Sequence, residues 1–88
     1  MHIRLFIWDD ANIFHVARHG LSDVEVDEVL DHDYRIARTK NGLYLLFGRS
    51  AAGRYLSIVI KPLANELARV ITARDMTESE RKRYRRML

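Results

Sequence analysis

The sequence predicts an α+β fold: an antiparallel sheet of about four strands, with two N-terminal helices before it and one basic C-terminal helix after it. Three observations indicate this arrangement. Short segments from residue 34 onwards are rich in β-branched and aromatic side chains, two Ser/Thr-x-x-Glu motifs mark helix starts, and an Asn-Gly pair separates two strands. Because 88 residues are too few for a second core, we expect a single domain covering residues 1–88.

The start of the chain predicts one strand and one helix. Residues 2–8 are mostly β-branched, aromatic or aliphatic, which is typical of a short strand. Asp9 or Asp10 can cap a helix that runs to about Arg18, because a short acidic side chain accepts a hydrogen bond from the first free N–H groups. Gly20 then ends the helix in a left-handed conformation.

Two capping boxes predict the other helices. Ser22 and Glu25 have the S-x-x-E spacing, and Thr77 and Glu80 have the equivalent T-x-x-E spacing. In this motif each of the two side chains accepts a hydrogen bond from the backbone N–H of the other residue. The first box opens the second helix, and the second box opens a helix that continues to the C-terminus.

Four further strands are predicted as a meander. They cover residues 34–39, 43–49, 54–62 and 67–74. Asn41-Gly42, between the first two, favours a tight type I′ hairpin turn, because both residues tolerate a positive φ. Pro62 ends the third strand, since proline has no N–H group to donate to a neighbouring strand.

Charge is unevenly distributed along the chain. The net charge of +3 lies in the last twelve residues, which hold five Lys/Arg and two Glu, whereas the second helix carries an acidic block without a cation. Arg81, Lys82, Arg85 and Arg86 share one arc of the last helix, with Tyr84 on the opposite arc. We therefore predict that these four cations bind the phosphates of a nucleic acid. The alternative is that both charged segments are solvated helix faces.

Arg74 is a candidate phosphate ligand because it closes the last strand immediately before a capped helix. Arg49 closes another strand, and the two guanidinium groups would meet at one sheet edge if their strands run in compatible directions. Such a pair can hold a phosphate and stabilise the additional negative charge of a phosphoryl transition state. The alternative is a structural ion pair of Arg74 with Asp75, Asp9 or Asp10.

The histidines suggest acid–base chemistry more than metal binding. His15 and His19 lie four residues apart on one helix, but the zinc motif H-E-x-x-H and an obvious third ligand are absent, so we expect no metal. His19 can act as a general acid or base, or it can interact with the C-terminal dipole of its helix.

Other classes of protein are excluded or unsupported by the composition. The chain has no cysteine, which excludes disulfide scaffolds and thiolate metal sites. Phosphate-loop and dinucleotide-binding motifs are absent, so we expect no cofactor. The apolar runs are too short for a signal peptide or a membrane span, and we expect a cytoplasmic protein with no membrane partner.

Five short motifs occur together along nearly the whole chain. They are F-x-W-D (Phe6, Trp8, Asp9), R-H-G (Arg18, His19, Gly20), G-R-[ST] (Gly48, Arg49, Ser50), G-R (Gly53, Arg54) and R-[VI]-I-[ST]-A-R-x-[MA]-T-x-x-E-x-x-x-Y (Arg69 to Tyr84). In these motifs the chain resembles the BrnT-like toxins of bacterial type II toxin–antitoxin modules, relatives of the RelE/ParE group. Many members carry a lysine in the first helix, where this chain has Asn12.

The resemblance implies a RelE-like fold and a metal-independent ribonuclease that arrests growth until a cognate antitoxin binds. The implied partners are an RNA substrate and the antitoxin, in a homo- or hetero-oligomer. By resemblance, Arg49 and Arg74 hold phosphate, and His19 or Tyr84 transfers protons. Two other functions stay open: a non-catalytic nucleic-acid-binding module, and a protein-interaction domain that uses its oppositely charged helices.

Overall fold

The computed structural model describes all 88 residues and contains five strands and three α-helices. In chain order they are β1 (Leu5–Ile7), α1 (Asp10–Ala17), α2 (Asp23–Asp27), β2 (Arg35–Arg38), β3 (Tyr44–Arg49), β4 (Tyr55–Pro62), β5 (Leu67–Asp75) and α3 (Glu78–Met87). Single 3-10 turns follow α2 at Glu28–Asp31 and precede β5 at Ala64–Glu66. None of the three α-helices is long and apolar enough to cross a membrane.

The predicted α+β class is confirmed, but the prediction of a purely antiparallel sheet of about four strands is wrong. Strands β2 to β5 do form an antiparallel meander, and β1 adds a fifth strand parallel to β5, in the order β1-β5-β4-β3-β2. In the β1–β5 pair, Leu5 lies opposite Leu67 and Ile7 opposite Arg69. The segment was recognisable as a strand, but its partner lies about sixty residues away, and no local pattern specifies such a pairing.

The predicted starts of α1 and α3 and the predicted hairpin turn are confirmed, whereas the capping box predicted at α2 is only half formed. The Ser22 hydroxyl accepts from the Glu25 N–H at 3.1 Å, but the Glu25 carboxylate binds Arg54 and not the Ser22 N–H. At α1, the Asp9 carboxylate accepts from the Asn12 N–H at 3.0 Å and the Asn12 side chain accepts from the Asp9 N–H at 2.7 Å. Thr77 and Glu80 form the equivalent reciprocal pair at α3. In the hairpin, Asn41 and Gly42 both adopt positive φ, at 61° and 73°. Local hydrogen bonding therefore sets these boundaries independently of the rest of the fold.

The sheet separates two hydrophobic clusters. The larger one lies between one face of the sheet and the helices α1 and α2. Its buried residues include Val16, Val26, Leu46, Ile58 and Val70. The smaller one, under α3 on the other face, is formed by Phe47, Met76 and Tyr84. Adjacent residues 46 and 47 belong to different clusters, as the alternation of side chains along a strand requires. We call the second face the α3 face.

A β-bulge in β5 decides which side chains reach the α3 face. Ile60 pairs with Val70 and Val59 pairs with Thr72, so Ile71 is an extra residue without a partner. The bulge shifts the alternation by one residue. As a result Val70 and Ala73 both face the larger core, and Arg74 lies on the α3 face.

Candidate functional site

Strand direction places Arg49 and Arg74 at the same edge of the sheet. Strands β3 and β5 both run antiparallel to β4, so they are parallel to each other, and each arginine lies at the carboxyl end of its strand. Arg49 is opposite Tyr55 and Arg74 is opposite Ser57. One strand lies between the two arginines, which corresponds to a backbone separation of about 10–12 Å. The predicted condition of compatible strands is met, but the two guanidinium groups have different neighbours.

Arg74 forms a bidentate ion pair with Glu80, the fourth residue of the T-x-x-E motif. The two Nη atoms lie 2.6 and 3.0 Å from the two carboxylate oxygens, and Nη1 also donates to the Asp75 carbonyl at 3.0 Å. The Arg74 side chain is 44% exposed and that of Glu80 is 17% exposed. A structural ion pair was one of the alternatives predicted for Arg74, but its carboxylate partner belongs to α3 and is none of the three aspartates considered.

The Glu80 carboxylate is fully engaged by protein donors. Besides Arg74, it accepts from the Thr77 backbone N–H at 2.9 Å and from the Ser57 hydroxyl at 3.3 Å. Burial alone would raise the pKa of Glu80, but the hydrogen bonds from Arg74 and Thr77 outweigh it, and the pKa is lowered. Glu80 therefore joins the end of β5 to the start of α3 as an ionised group.

Two arginines that have no carboxylate partner stack on the ring of Tyr55. The guanidinium carbon of Arg49 lies 4.7 Å from the centre of the Tyr55 ring, and that of Arg81 lies 4.1 Å from it. Neither arginine takes part in a salt bridge, and the Nε of Arg81 is buried without a hydrogen-bond acceptor. Stacking on an aromatic face orients a guanidinium while leaving its N–H donors free for a planar anion.

The remaining predicted phosphate ligands extend this positive surface along α3. Lys82, Arg85 and Arg86 are exposed and form no salt bridge, whereas Arg81 is partly buried against Tyr55. Arg83, which was not among the predicted ligands, lies with its guanidinium carbon 5.7 Å from the centre of the Phe47 ring. The helix thus presents a row of cations, of which the first is held in one orientation.

Tyr84, a residue of α3, is buried against the sheet, and its hydroxyl forms a hydrogen bond within the chain. The side chain is 2% exposed, and the hydroxyl donates to the backbone carbonyl of Asp33. Its ring meets the Tyr55 ring edge to face, with the centroids 6.3 Å apart. Burial raises the pKa of Tyr84. A proton transfer by this hydroxyl would require the bond to Asp33 to break, because the phenol has a single proton to donate.

His19 lies beyond the end of α1, on the side of the sheet opposite α3, and it is exposed. Its backbone carbonyl and that of Gly20 accept from Arg54, which also binds the Asp75 carboxylate at 2.6 and 3.0 Å. His19 forms no hydrogen bond or salt bridge with Arg49, Arg74 or Arg81. The sequence motif G-R contained Arg54, but nothing in its local pattern indicated this role of connecting the α1–α2 turn to β5.

An open groove of about 670 Å³ lies beside Arg49. Its walls are Leu30, Asp31, His32, Asp33, Arg49, Ser50, Ala51, Gly53, Tyr84 and Leu88. Two of the predicted catalytic residues, Arg49 and Tyr84, therefore line one cavity. Gly53 adopts φ +87°, and a Cβ atom there would lie 3.0 Å from Nη2 of Arg49, so the glycine leaves room for the guanidinium.

The groove also contains His32, which the sequence did not single out. It is exposed and follows the 3-10 turn after α2. In the sequence, the only indication of a function for His32 is its imidazole. The chain has three other histidines, and nothing in the local sequence distinguishes His32 from them. No group of three or more His, Asp or Glu side chains has an arrangement that could hold a metal ion.

One solved structure has the same architecture over most of the chain. The crystal structure of the ribonuclease toxin BrnT from Brucella abortus superimposes with a TM-score of 0.66 and 22% sequence identity, covering 84% of this chain and 97% of that protein. This chain has the BrnT fold. The resemblance predicted from the motifs is thus confirmed at the level of the fold. Neither protein-family models nor curated protein sequences match the chain.

Proposed function

We propose that the protein is the toxin of a type II toxin–antitoxin module and a metal-independent ribonuclease that cleaves RNA to arrest growth. The observation that carries the proposal is the BrnT fold together with arginines on the α3 face that lack carboxylate partners. Protein arginines without an acidic partner favour binding to an external anion, and RNA supplies a phosphate at every nucleotide.

The reaction proposed is transesterification within the RNA backbone. The ribose 2′-oxygen attacks the adjacent phosphorus and loses its proton, a bond from that oxygen to phosphorus forms, and the bond from phosphorus to the 5′-oxygen breaks. The leaving 5′-oxygen takes up a proton, and the products carry a 2′,3′-cyclic phosphate and a 5′-hydroxyl. Arg49 and Arg81 would stabilise the negative charge that develops on the non-bridging phosphate oxygens.

The proposed cellular setting follows from the same assignment. The partners are an RNA substrate and a cognate antitoxin, with homo- or hetero-oligomers expected, in the cytoplasm of a bacterium. We also propose a distant relation to RelE-like toxins and a single BrnT-like domain over residues 1–88. These assignments rest on the motif resemblance, and the cleavage assay below tests the activity on which they depend.

The first test is cleavage of total RNA by purified protein in EDTA, repeated with translating ribosomes. We expect EDTA-resistant cleavage that is lost or strongly reduced in Arg49→Ala. The matched control is Lys40→Ala, which removes an exposed cation from the turn between β2 and β3, at the opposite end of β3 from Arg49. Arg74→Ala is a less informative variant, because it also removes the partner of Glu80 and destabilises the fold.

RNA affinity is measured separately with a non-cleavable 2′-O-methyl oligonucleotide. Arg49→Ala should weaken binding and reduce the slope of log affinity against log salt by about 0.7 for a lost contact to a single strand. Lys40→Ala should leave both unchanged. Cleavage at the native rate by Arg49→Ala would refute the proposed phosphate site.

A second candidate, a non-catalytic nucleic-acid-binding module, is favoured by one observation. His19 and the α3 arginines lie on opposite faces of the sheet, and the Tyr84 proton is already donated to Asp33. Of the two proton carriers predicted from the motifs, His19 is therefore separated from the phosphate ligands by the sheet, and the Tyr84 hydroxyl is already hydrogen-bonded to Asp33. Salt-dependent RNA binding without cleavage, on bare RNA and on ribosomes, would establish this candidate instead.

A further inference from the structure

The four histidines occupy different environments, and one of them shares a cavity with a phosphate-ligand candidate. The Nδ1 of His2 lies 3.1 Å from the Tyr34 hydroxyl. His15 is exposed in the last turn of α1 and His19 is exposed in the turn that follows, and α1 packs on the side of the sheet opposite α3. His32 alone lines the groove that contains the Arg49 side chain.

The backbone around His32 is anchored on both sides while its imidazole is unoccupied. The His32 N–H donates to the Val29 carbonyl at 3.3 Å, and the next carbonyl, that of Asp33, accepts from the Tyr84 hydroxyl. The imidazole itself makes no hydrogen bond within the chain and is exposed to the groove. An imidazole that extends from an anchored backbone and has no hydrogen-bond partner within the chain is available to a bound molecule.

The other wall of the groove is also supported from behind. Arg49 is oriented by the Tyr55 ring, and the following Ser50 is buried, with its hydroxyl accepting from the Arg54 N–H at 3.1 Å. The Ala51 N–H donates to the Glu28 carboxylate at 3.1 Å, so this turn is tied to the segment that carries His32. The Arg49 guanidinium and the backbone that carries His32 are therefore each held by separate contacts in the lining of one groove.

We propose that this groove is the reaction site for RNA and that His32, rather than His19 or Tyr84, is a catalytic residue that transfers a proton in it. The assignment rests on the proposed ribonuclease function and adds the place and the acid–base group. Arg49 binds the scissile phosphate from one wall, and the His32 imidazole exchanges a proton with the reacting ribose or with the leaving 5′-oxygen from the other. Imidazole suits this step because it accepts and donates protons near neutral pH.

The test compares His32→Gln with one matched control, His15→Gln, and with His19→Gln, which replaces the competing candidate for proton transfer. Glutamine preserves polarity and approximate size but does not titrate. The three imidazoles are exposed and form no hydrogen bond within the chain, so all three variants should fold as the native protein does. If His32 transfers the proton, single-turnover cleavage of an RNA oligonucleotide in EDTA should fall by about 10²–10⁴-fold in His32→Gln and by less than about threefold in His15→Gln, and the large loss should not occur in His19→Gln. Affinity for the 2′-O-methyl oligonucleotide should change by less than about threefold in all three.

A second measurement locates the RNA without relying on activity. Titration of the native protein with the 2′-O-methyl oligonucleotide should shift the imidazole NMR signals of His32 and leave those of His15 in place. Native cleavage by His32→Gln, or loss of cleavage in His19→Gln alone, would overturn the groove assignment while leaving the ribonuclease function intact. Absence of cleavage by the native protein, on bare RNA and on ribosomes, would overturn both.

Discussion

Replacing Glu80 by glutamine should destabilise the protein by removing the charge that joins β5 to α3. The carboxylate accepts four hydrogen bonds: two from Arg74, one from the Thr77 N–H and one from the Ser57 hydroxyl. The amide oxygen can still accept from Thr77, but the NH₂ group then takes the position of the other oxygen and turns a donor towards Nη2 of Arg74, which cannot accept. We expect a loss of about 1–2 kcal/mol at pH 7, because bonds to a charged group contribute about 1.5–3 kcal/mol and partial exposure of Arg74 reduces this.

The same variant should show a defined pH dependence. The pKa of Glu80 is lowered from its usual 4.5, so its stabilising effect is complete above that value and is lost as the pH falls through the lower pKa of the folded state. The difference in unfolding free energy between the native protein and Glu80→Gln should therefore be constant from pH 6 to 8 and shrink on acidification below about pH 4.5.

Urea denaturation, monitored by circular dichroism, measures this difference in unfolding free energy. Glu78→Gln is the matched control, because Glu78 is an exposed residue in the same helical turn and makes no side-chain hydrogen bond. We expect it to change stability by less than about 0.5 kcal/mol. Equal losses in Glu78→Gln and Glu80→Gln at pH 7, or a Glu80→Gln difference that does not shrink in acid, would refute the stabilising role of the ion pair.

Three further substitutions test other contacts, each by urea denaturation unless stated. Gly48→Ala should cost about 1–3 kcal/mol, because its Cβ would lie 2.3 Å from a methyl of buried Val29, and adding Val29→Ala should recover part of the loss; a neutral Gly48→Ala would contradict the tight packing. Asn12→Ala should cost about 2–4 kcal/mol, because Asn12 is 2% exposed, its NH₂ group donates to two strand carbonyls and its side-chain oxygen accepts from the Asp9 N–H at the start of α1; a loss below 1 kcal/mol would be inconsistent with that role. Tyr84→Phe should cost about 1–2 kcal/mol through the lost bond to Asp33 and keep RNA cleavage within about tenfold of native; a much larger loss of cleavage would restore Tyr84 as a proton carrier.

The motif that carried the resemblance contains residues with structural roles as well as candidate site residues. In the last motif, Arg69 pairs with Asp9, Arg74 with Glu80, and Tyr84 with Asp33. These contacts hold the first helix and the last helix to the sheet. Spacing in a motif does not distinguish residues that stabilise the fold from residues that bind substrate. For this reason the motif suggested more catalytic residues than the structure brings together in one place.

Local features of the sequence determined the α+β class, the five strand segments and the helix starts. A capping box, an Asn-Gly turn and an alternating strand each depend on atoms within a few residues of one another, so the pattern and the structure coincide. The direction of β3 and β5 also followed, because short antiparallel connections leave little choice. The shared edge of Arg49 and Arg74 was predicted only on the condition that their strands run in compatible directions, and the antiparallel pairing of β3 and β5 with β4 meets that condition.

Only the tertiary structure decided the parallel pairing of β1 with β5, the partner of Arg74 and the cavity at Arg49. The bulge at Ile71 moves Arg74 to the α3 face, where Glu80 reaches it, and the fold brings His32 to the same groove as Arg49. Each of these features joins segments that are far apart in the chain, or depends on a one-residue change in strand alternation. Such contacts are set by the packing of whole elements against each other, and no local pattern encodes them.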